Sequence, residues 1–358
     1  MRRKQADVFA DGGPPSAGKV GQAMADGGPA NTLRRLITGY QTTFLVQVAA
    51  ELKLADRLTD GSRGVDELAD ATNSRPEVLR RVLLALHQLG LLTRDEGGRF
   101  GLTALGECLR SDHPEGLNAF ARYQAHAMIQ RPWSNLLQTI HTGQSGFRTV
   151  FGRSLFEYLE DRPHDSALFT AGMAARTAGP IGAIVAGYDW RTFGTIVDIG
   201  GADGALLAGI LAAAPLTRGI ILDQSRVRVA AERRITDERL QGRCAFASGD
   251  FFAEVPAAAD AYILKYVLHD WNDDEVVAIL RNVRRAAPTQ ARLIVIEPLL
   301  PEDEEPALEA AMMDIAMLVI TGGRERSAAE FAGLYESAGF RLHRVIPTGS
   351  PFKLLEGS

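Results

Sequence analysis

Three glycines lie close together near the middle of the chain, in the segment Gly-Gly-Ala-Asp-Gly at residues 200–204. This segment follows the apolar run 196–199 and precedes a helical pattern. Glycines in such a strand–loop–helix turn let backbone N–H groups approach a ligand closely. The spacing departs from GxGxxG, because the only glycines are Gly200, Gly201 and Gly204. The turn predicts a nucleotide-type cofactor, and by itself it fits NAD as well as any other.

A histidine and a carboxylate stand at the ends of two later apolar runs. His269 follows the run 261–267, and Glu297 ends the run 292–297. In open α/β sheets the carboxyl ends of parallel strands form the ligand-binding edge, and neighbouring strands lie only ~4.8 Å apart. A carboxylate at that distance can select one tautomer of a histidine. An imidazole with a pKa of about 6.5 suits removal of a proton from a phenol, so the pair predicts general-base chemistry.

The elements that position these residues alternate in the C-terminal half, where short apolar runs are separated by helical segments. The runs are 195–199, 219–223, 244–248, 261–267 and 292–297. This alternation predicts a doubly wound parallel sheet, closed by an antiparallel pair at 339–346 and 352–355. Asp223 ends the second run, where a carboxylate can accept hydrogen bonds from both hydroxyls of a ribose.

The N-terminal part is predicted to be helical, after a leader at 1–29 that is too rich in Gly, Pro, Ala and Asp to order itself. Leu33, Leu36, Ile37, Tyr40 and Phe44 then recur at helical spacing and form an apolar face that needs a partner. A helix at 66–71, a second one opened by a capping box at Ser74, and a hairpin around 95–98 predict a winged helix within 30–112. Residues 113–180 are expected to form a helical connector, and 181–358 the cofactor-binding domain.

Winged helices often bind DNA, but the charges here favour a packing or dimerisation role. Between residues 65 and 95 four arginines are outnumbered by five acidic residues. The whole chain of 358 residues carries a net charge of −5, which gives no attraction to a phosphate backbone. Nucleic acid is therefore not expected as a partner.

Composition favours an ordinary globular protein, with 46% hydrophobic and 23% charged residues. The apolar runs are expected to be too short for a membrane span, and the basic N-terminus is not followed by an apolar signal segment. Cys108 and Cys244 stand far apart, which argues against a disulfide framework or a metal site. We expect a cytoplasmic protein with no metal and no membrane partner.

Four ordered motifs together resemble a known family. They are Gly-Asp-Phe-Phe at 249–252, the stretch 259–271 that ends in His-Asp-Trp, Glu297, and Gly-Gly-Arg-Glu-Arg at 322–326. From about Asn31 to its end, the chain is similar to the dimeric small-molecule O-methyltransferases, the plant caffeic acid and isoflavone type together with their bacterial antibiotic-pathway relatives. The resemblance implies a Rossmann-like class I methyltransferase domain behind an all-α winged-helix dimerisation domain.

The resemblance also implies roles for individual residues. S-adenosylmethionine would be the cofactor and S-adenosylhomocysteine the product. Residues 200–204 would cradle its methionine part, and Asp223 would bind its ribose. Asp250 would bind the adenine amine, and Phe251 would lie on the adenine ring. Lys265 would help to close the cofactor pocket. The implied catalytic residues are His269 as the general base, with Glu297 and Glu325 as carboxylates that hold the imidazole.

The acceptor, a small aromatic molecule by this resemblance, would lie against a stripe of methionines near helical spacing. The stripe comprises Met312, Met313 and Met317 with Ile320, and Met128 and Trp133 would form the opposite wall. Such a stripe is more commonly a buried helix face, although soft thioethers suit a flat ring. The family also implies a homodimer in which one subunit's N-terminal helix completes the pocket of another.

Two other functions compete with methyl transfer. One bacterial branch of the family retains the fold and the cofactor but performs hydroxylation or decarboxylation. The joint presence of His269, Glu297 and Glu325 favours methylation. The second alternative is a winged-helix regulator whose C-terminal domain only senses a ligand, which the acidic balance opposes. Ala202, where most relatives carry a third glycine, adds a methyl group beside the cofactor.

Overall fold

The computed structural model describes residues 28–358. Residues 1–27 of the predicted leader lie outside the described residues. The last two residues assigned to the leader, Gly28 and Pro29, instead belong to the first helix. Proline is tolerated in the first turn of a helix, because the N–H that it lacks has no partner there.

The N-terminal part consists of short helices and one β-hairpin. The elements are α1 (Gly28–Ile37), α2 (Gly39–Glu51), α3 (Leu54–Arg57), α4 (Val65–Thr72), α5 (Pro76–Gln88), β1 (Leu92–Arg94), β2 (Phe100–Leu102) and α6 (Ala104–Glu107). Strands β1 and β2 pair antiparallel, which confirms the predicted hairpin. The predicted capping box was wrong: Arg75 precedes α5, and the Ser74 hydroxyl instead accepts a hydrogen bond of 2.9 Å from Thr72.

The apolar face of the first two helices is exposed in the single chain. No residue of α1 is buried. The exposed fractions are 62% for Leu36, 65% for Ile37 and 57% for Tyr40. Apolar side chains that are exposed together in this way mark a surface that binds another protein. The prediction that this face needs a partner therefore agrees with the described structure.

Six helices connect the N-terminal part to the sheet. They are α7 (Leu117–Ala125), α8 (Ala127–Trp133), α9 (Leu136–Thr142), α10 (Gly146–Phe151), α11 (Leu155–Glu160) and α12 (Pro163–Ala186). Helix α12 continues through Pro180, beyond the predicted end of the connector. By length and composition alone it could cross a membrane, with a mean hydropathy of 1.2 over an 18-residue window, although no such segment was expected. In this fold α12 packs against α7 and against the first helix after β3.

The C-terminal part is a seven-stranded sheet. Its strands are β3 (Thr195–Ile199), β4 (Arg218–Asp223), β5 (Cys244–Ser248), β6 (Ala261–Lys265), β7 (Arg292–Pro298), β8 (Leu342–Pro347) and β9 (Phe352–Gly357). The order is β5-β4-β3-β6-β7-β9-β8, and only the pairs β7–β9 and β8–β9 are antiparallel. The predicted α/β class, parallel strands and closing antiparallel pair are confirmed.

Helices cover both faces of this sheet. They are α12 together with α13 (Ala205–Ala213), α14 (Arg228–Asp237), α15 (Asp273–Ala286) and α17 (Ala328–Ser337). Helix α16 (Leu308–Ile320) packs instead against the connector helices α8, α9 and α10. Neighbouring residues of β3 separate into two cores: Ile196 packs with α13 and α14, whereas Val197 packs with α15 and α17. Because both faces are buried, the parallel strands are continuous apolar runs. The strand order reverses between β3 and β6, which opens a crevice at their carboxyl ends.

Candidate active site

A cavity of about 1210 Å³ lies at the carboxyl ends of β3 and β6. One wall comes from the sheet edge and includes the loop 200–203, Asp223, the segment 249–252 and the turn 269–271. The opposite wall comes from the connector helices and from α16. A crevice at the point where strand order reverses is where open α/β sheets bind ligands, so this cavity is the candidate active site.

The loop at the cavity needs glycine at two positions, because a side chain at either of them would clash with its surroundings. A Cβ on Gly200 would lie 2.7 Å from Cγ2 of Val267, and one on Gly201 would lie 2.8 Å from Cγ of Asp198. Gly200 also has a φ of 68°, which favours glycine. Gly204 adopts a φ of 78° directly before α13 and does not line the cavity. Gly204 therefore shapes the turn, whereas Gly200 and Gly201 line the cavity.

Ala202 adopts a left-handed conformation, with a φ of 49°. This conformation costs an L-residue about 1–2 kcal/mol, more than the extra chain entropy that glycine loses on folding. We expect Ala202→Gly to raise the free energy of unfolding by about 1 kcal/mol, measured by urea denaturation. The control is Ala212→Gly in α13, which is expected to lower the stability by about 1 kcal/mol. A destabilised Ala202→Gly protein would contradict the assignment of strain to this residue.

Asp223 ends β4 and lines the cavity. Its Oδ2 accepts a hydrogen bond of 2.8 Å from the Ala202 N–H, and its Oδ1 accepts one of 2.6 Å from the Gln224 N–H. Each carboxylate oxygen can accept a further hydrogen bond, so both remain available to ligand hydroxyls. Burial raises the pKa of this carboxyl, whereas the Arg226 guanidinium and the two N–H donors lower it.

Asp250 and Phe251 line the cavity beyond β5. Oδ1 of Asp250 accepts a hydrogen bond of 2.8 Å from the Phe252 N–H. The rings of Phe251 and Phe252 lie edge-on to Trp271, with centroids 6.0 and 4.7 Å away, and Phe156 stacks on the same indole at 5.3 Å. These rings form an apolar wall against which a flat heterocycle can pack.

Lys265 lines the cavity together with Asp198, which the sequence analysis treated only as part of a strand. Oδ2 of Asp198 is buried and has no hydrogen-bond partner. Burial raises the pKa of Asp198 to about 7, although the nearby Lys265 lowers it. Burial likewise lowers the pKa of Lys265. A charged residue inside a buried apolar strand was the signal that could have identified Asp198, because such a charge is costly unless it has a function.

His269 lies in a 3-10 turn, Leu268–Asp270, directly after β6, and its side chain is 4% exposed at the cavity wall. Its Nδ1 lies 2.9 Å from Oε1 of Glu325. Since a carboxylate can only accept, Nδ1 is the donor, and Nε2 is left as the acceptor nitrogen in the neutral ring. The Tyr266 ring and the imidazole pack edge-to-face, with 4.3 Å between their centroids. The ring is thus fixed in both orientation and tautomer.

The two predicted carboxylates differ in what they contact, and both lie behind the cavity wall. Oε1 of Glu297 accepts hydrogen bonds of 3.0 Å from the N–H groups of Val267 and Leu268, so this residue holds the turn. Its Oε2 lies 3.9 Å from Nδ1 of His269 and has no hydrogen bond. Only Glu325 hydrogen-bonds the imidazole directly. The Glu325 N–H is in turn fixed by Asp314, at 2.9 Å.

Neighbouring charges dominate the protonation of this site. Burial alone lowers the pKa of His269, but Glu297, Asp270 and Glu325 outweigh burial and raise it to about 9. Burial raises the pKa of Glu297 to about 7 and that of Asp270 to about 6. Near neutral pH this cluster of buried groups therefore retains protons in the ligand-free protein. His269 loses its proton as the pH rises toward about 9.

The rate of a reaction that needs neutral His269 is expected to rise with pH up to about 9. Glu297→Gln removes a negative charge that raises this pKa, so it should move the rising limb of kcat/KM to lower pH. The measurement is kcat/KM against pH for the wild type, for Glu297→Gln and for the exposed control Glu336→Gln. A limb that stays in place in Glu297→Gln would contradict the electrostatic role of this carboxylate.

Ligand atoms of His269, Glu297 and Glu325 lie within 4.8 Å of one another, a set that by its chemistry could hold a metal ion. Coordination would require Nδ1 without its proton and ligand distances near ~2.1 Å. The hydrogen bond from Nδ1 to Glu325 instead uses that position for a proton. We expect dialysis against EDTA to leave kcat unchanged. A loss of activity that added Zn²⁺ or Mg²⁺ restores would contradict the prediction of a metal-free site.

The predicted acceptor wall is present in part. Trp133, Met313 and Met317 line the cavity, but Met128 does not. Met128 is fully buried in the core that also contains Ile129 and Phe147, because α8 turns this residue away from the cavity. The lining residues that the sequence analysis missed as site residues include Phe156, Phe169, Met173, Arg176 and Tyr266. Periodicity alone cannot distinguish an aromatic side chain on a cavity wall from one in a core.

Comparisons with known proteins identify two regions. The O-methyltransferase domain family matches residues 133–341, and the O-methyltransferase dimerisation domain family matches residues 34–112. Phenazine O-methyltransferase PhzM of Lysobacter antibioticus is 40% identical over 90% of this chain and 94% of its own length. The structure of LaPhzM superposes with a TM-score of 0.88 at 39% identity, over 92% of this chain and 98% of that one.

Two further relatives bear on the cofactor and on the chemistry. The O-methyltransferase NcsB1 from neocarzinostatin biosynthesis, solved with S-adenosylmethionine and 2-hydroxy-5-methyl naphthoic acid, is 36% identical. It matches 88% of this chain and 95% of its own, with a TM-score of 0.77. Aclacinomycin 10-hydroxylase RdmB of Streptomyces purpurascens is 32% identical over 86% of this chain and 84% of its own length. Similarity at this level thus includes a protein named for a different reaction.

Proposed function

Since the chain belongs to the family of S-adenosylmethionine-dependent O-methyltransferases with an N-terminal dimerisation domain, we propose that it methylates a hydroxyl group of a small aromatic natural product. One observation carries the proposal: His269 lies on the cavity wall with Nδ1 bonded to Glu325, which leaves Nε2 as the nitrogen that accepts a proton when the ring is neutral. A buried base beside the cofactor loop is what transfer to a phenolic oxygen requires.

The residues of the sheet edge would hold the cofactor. The backbone of Gly200 and Gly201 would meet its methionine part, with Gly204 shaping the turn. Asp223 has acceptor capacity for the ribose hydroxyls beyond its two N–H donors. Asp250 would meet the adenine amine and Phe251 the adenine ring, and the pair of Lys265 and Asp198 would face the charged groups of the cofactor.

His269 would take the proton of the acceptor hydroxyl on Nε2 as the oxygen attacks. Glu325 stabilises the imidazolium that forms, because its carboxylate lies 2.9 Å from Nδ1. Glu297 keeps the turn in place through its two backbone N–H contacts. S-adenosylmethionine, when bound, supplies the methyl group on a sulfonium whose positive charge disfavours the imidazolium. The walls of the cavity would hold the acceptor oxygen in line with the methyl group and the sulfur, and this orientation contributes to the rate.

The shape and lining of the cavity support a flat acceptor. Trp133, Phe156, Met313 and Met317 contribute aromatic and thioether surface, which packs well against an aromatic ring. The relatives whose names state an acceptor include a phenazine and a naphthoate enzyme. We therefore propose a fused-ring phenol as the acceptor class.

The test is an assay with S-adenosylmethionine labelled at its methyl group and a panel of hydroxyphenazines, dihydroxynaphthoates, hydroxyquinones and simple phenols. We expect label on a hydroxyl of one of the fused-ring compounds, and incorporation lowered by about 10²-fold or more with a His269→Ala variant. If every compound stays unlabelled and one of them is oxidised or decarboxylated instead, the proposed reaction is wrong.

Hydroxylation is the second candidate, because a relative named as a hydroxylase is 32% identical. Mass spectrometry of the product separates the two reactions, since methylation adds one CH₂ and hydroxylation adds one oxygen. A regulator remains the more distant alternative. A gel shift at low salt with the DNA upstream of its own gene would support that alternative, whereas an enzyme has no need to bind.

We propose that the exposed face of α1 and α2 forms the interface of a homodimer. Leu36, Tyr40 and Thr43 also line the mouth of the cavity, so a partner on this face would lie next to the acceptor. Light scattering is expected to return about twice the chain mass of 38.7 kDa. A mass near that of one chain would contradict the dimer. The absence of nucleic-acid and membrane partners stays a prediction.

A further inference from the structure

The turn that carries His269 is packed against a second segment of the chain, residues 322–326. Gly323 lies directly on the backbone of the turn, where a Cβ would stand 2.7 Å from the Trp271 nitrogen and still closer to the His269 carbonyl. The same segment carries Glu325, the partner of the imidazole. The path of this segment therefore sets the geometry of the histidine and of its carboxylate together.

Arg326 connects the two segments from a fully buried position. Its Nη1 donates to the carbonyl oxygen of Leu268 at 3.0 Å, and its Nη2 donates to that of Trp271 at 2.7 Å. These carbonyls stand on either side of His269 and Asp270. One planar guanidinium thus holds both ends of the turn, and its rigid fork fixes their separation.

Asp273, at the start of α15, supplies the negative charge that offsets the free-energy cost of burying the Arg326 guanidinium. Its Oδ1 accepts from Nε of Arg326 at 2.9 Å and from Nη2 at 2.8 Å. A buried guanidinium without such a partner would be strongly destabilising. Arg324 also pairs with Asp273, at 2.9 Å, but its other partner is Glu330 and its side chain is 43% exposed. None of the described contacts of the Arg324 side chain reaches the turn.

We propose that Arg326 is a positioning residue for the reaction, which holds the His269 turn in register with Glu325 so that Nε2 stays directed at the acceptor. The inference rests on the proposed function, because it takes His269 as the base. It assigns to the second arginine of the Gly-Gly-Arg-Glu-Arg motif a task that its neighbour Arg324 does not share. The guanidinium itself does not line the cavity.

The matched variants are Arg326→Lys and Arg324→Lys. Lysine keeps the positive charge but cannot hold two carbonyls and a carboxylate in one plane. We expect Arg326→Lys to lower kcat by about 10²-fold, with the KM for S-adenosylmethionine and the affinity for S-adenosylhomocysteine nearly unchanged. Arg324→Lys is expected to match the wild type in kcat. Equal kcat values for Arg326→Lys and the wild type would overturn the proposal.

An NMR titration of the His269 imidazole in the ligand-free protein does not depend on turnover. A loosened contact with Glu325 should lower the pKa of His269 from about 9 in Arg326→Lys and leave it in place in Arg324→Lys. An unmoved titration in Arg326→Lys would overturn the proposal even if the acceptor assay failed. A moved titration without methyl transfer by the wild type would support the positioning role and contradict the proposed reaction alone.

Asp273→Glu provides a second variant in case Arg326→Lys does not fold, because it keeps the negative charge that the buried guanidinium needs. It leaves the guanidinium in place and weakens its orientation, so both kcat and the pKa of His269 should change in the same direction by a smaller amount. Thermal unfolding of each variant gives the folded fraction under assay conditions. A loss of kcat no larger than the loss of folded protein would show a purely structural role and overturn the proposal.

Discussion

Replacement of His269 by alanine is expected to lower kcat by about 10²- to 10⁴-fold, the usual contribution of a positioned general base. The imidazole is 4% exposed, and its Nδ1 is bonded to Glu325, so no solvent group can occupy its place in the same orientation. The affinity for S-adenosylhomocysteine should be nearly unchanged, because the predicted cofactor contacts come from other residues. The measurement is the initial rate of labelled methyl transfer at saturating concentrations of both substrates.

His343→Ala is the control for His269→Ala, since His343 is an exposed histidine on β8, and this change should leave kcat unaffected. Added imidazole is expected to restore part of the activity of His269→Ala by entering the space that the ring leaves. A kcat close to that of the wild type in His269→Ala would refute the general-base role. A loss of cofactor affinity would instead place His269 in the binding site.

Replacement of Asp223 by alanine is expected to weaken the binding of S-adenosylhomocysteine by at least about 10²-fold. Hydrogen bonds to a charged group contribute about 1.5–3 kcal/mol each, and the ribose offers two hydroxyls. The carboxylate also holds the Ala202 and Gln224 N–H groups, so the loop that faces the cofactor loses its anchor as well. Calorimetric titration of S-adenosylhomocysteine into wild type and variant measures this change.

Two controls complete the Asp223 experiment. Asp237→Ala removes an exposed carboxylate from α14 and should bind like the wild type. Asp223→Asn keeps one acceptor oxygen and should fall between wild type and alanine. An unchanged affinity in Asp223→Ala would show that the ribose binds elsewhere, and an absence of binding to the wild type would contradict the cofactor assignment itself.

The sequence by itself determined the fold class, the strands and the location of the candidate site. Apolar runs that alternate with helices predict parallel strands, because burial on both faces is a local property that each strand carries in its own residues. His269 and Glu297 could likewise be placed at one edge of the sheet, because the carboxyl ends of parallel strands lie at the same edge. The motif resemblance then identified the family and the cofactor, which no periodicity could do.

Only the tertiary structure decided which of these residues touch. Glu325 lies 56 positions from His269, and nothing local to either residue shows that it bonds Nδ1 while Glu297 binds the backbone of the turn. Such contacts depend on the path of loops that have no periodicity. The same reason applies to Met128, whose side chain would suit a pocket wall but lies in the core. It also applies to Arg326, whose guanidinium binds the carbonyl oxygens of the turn that follows β6.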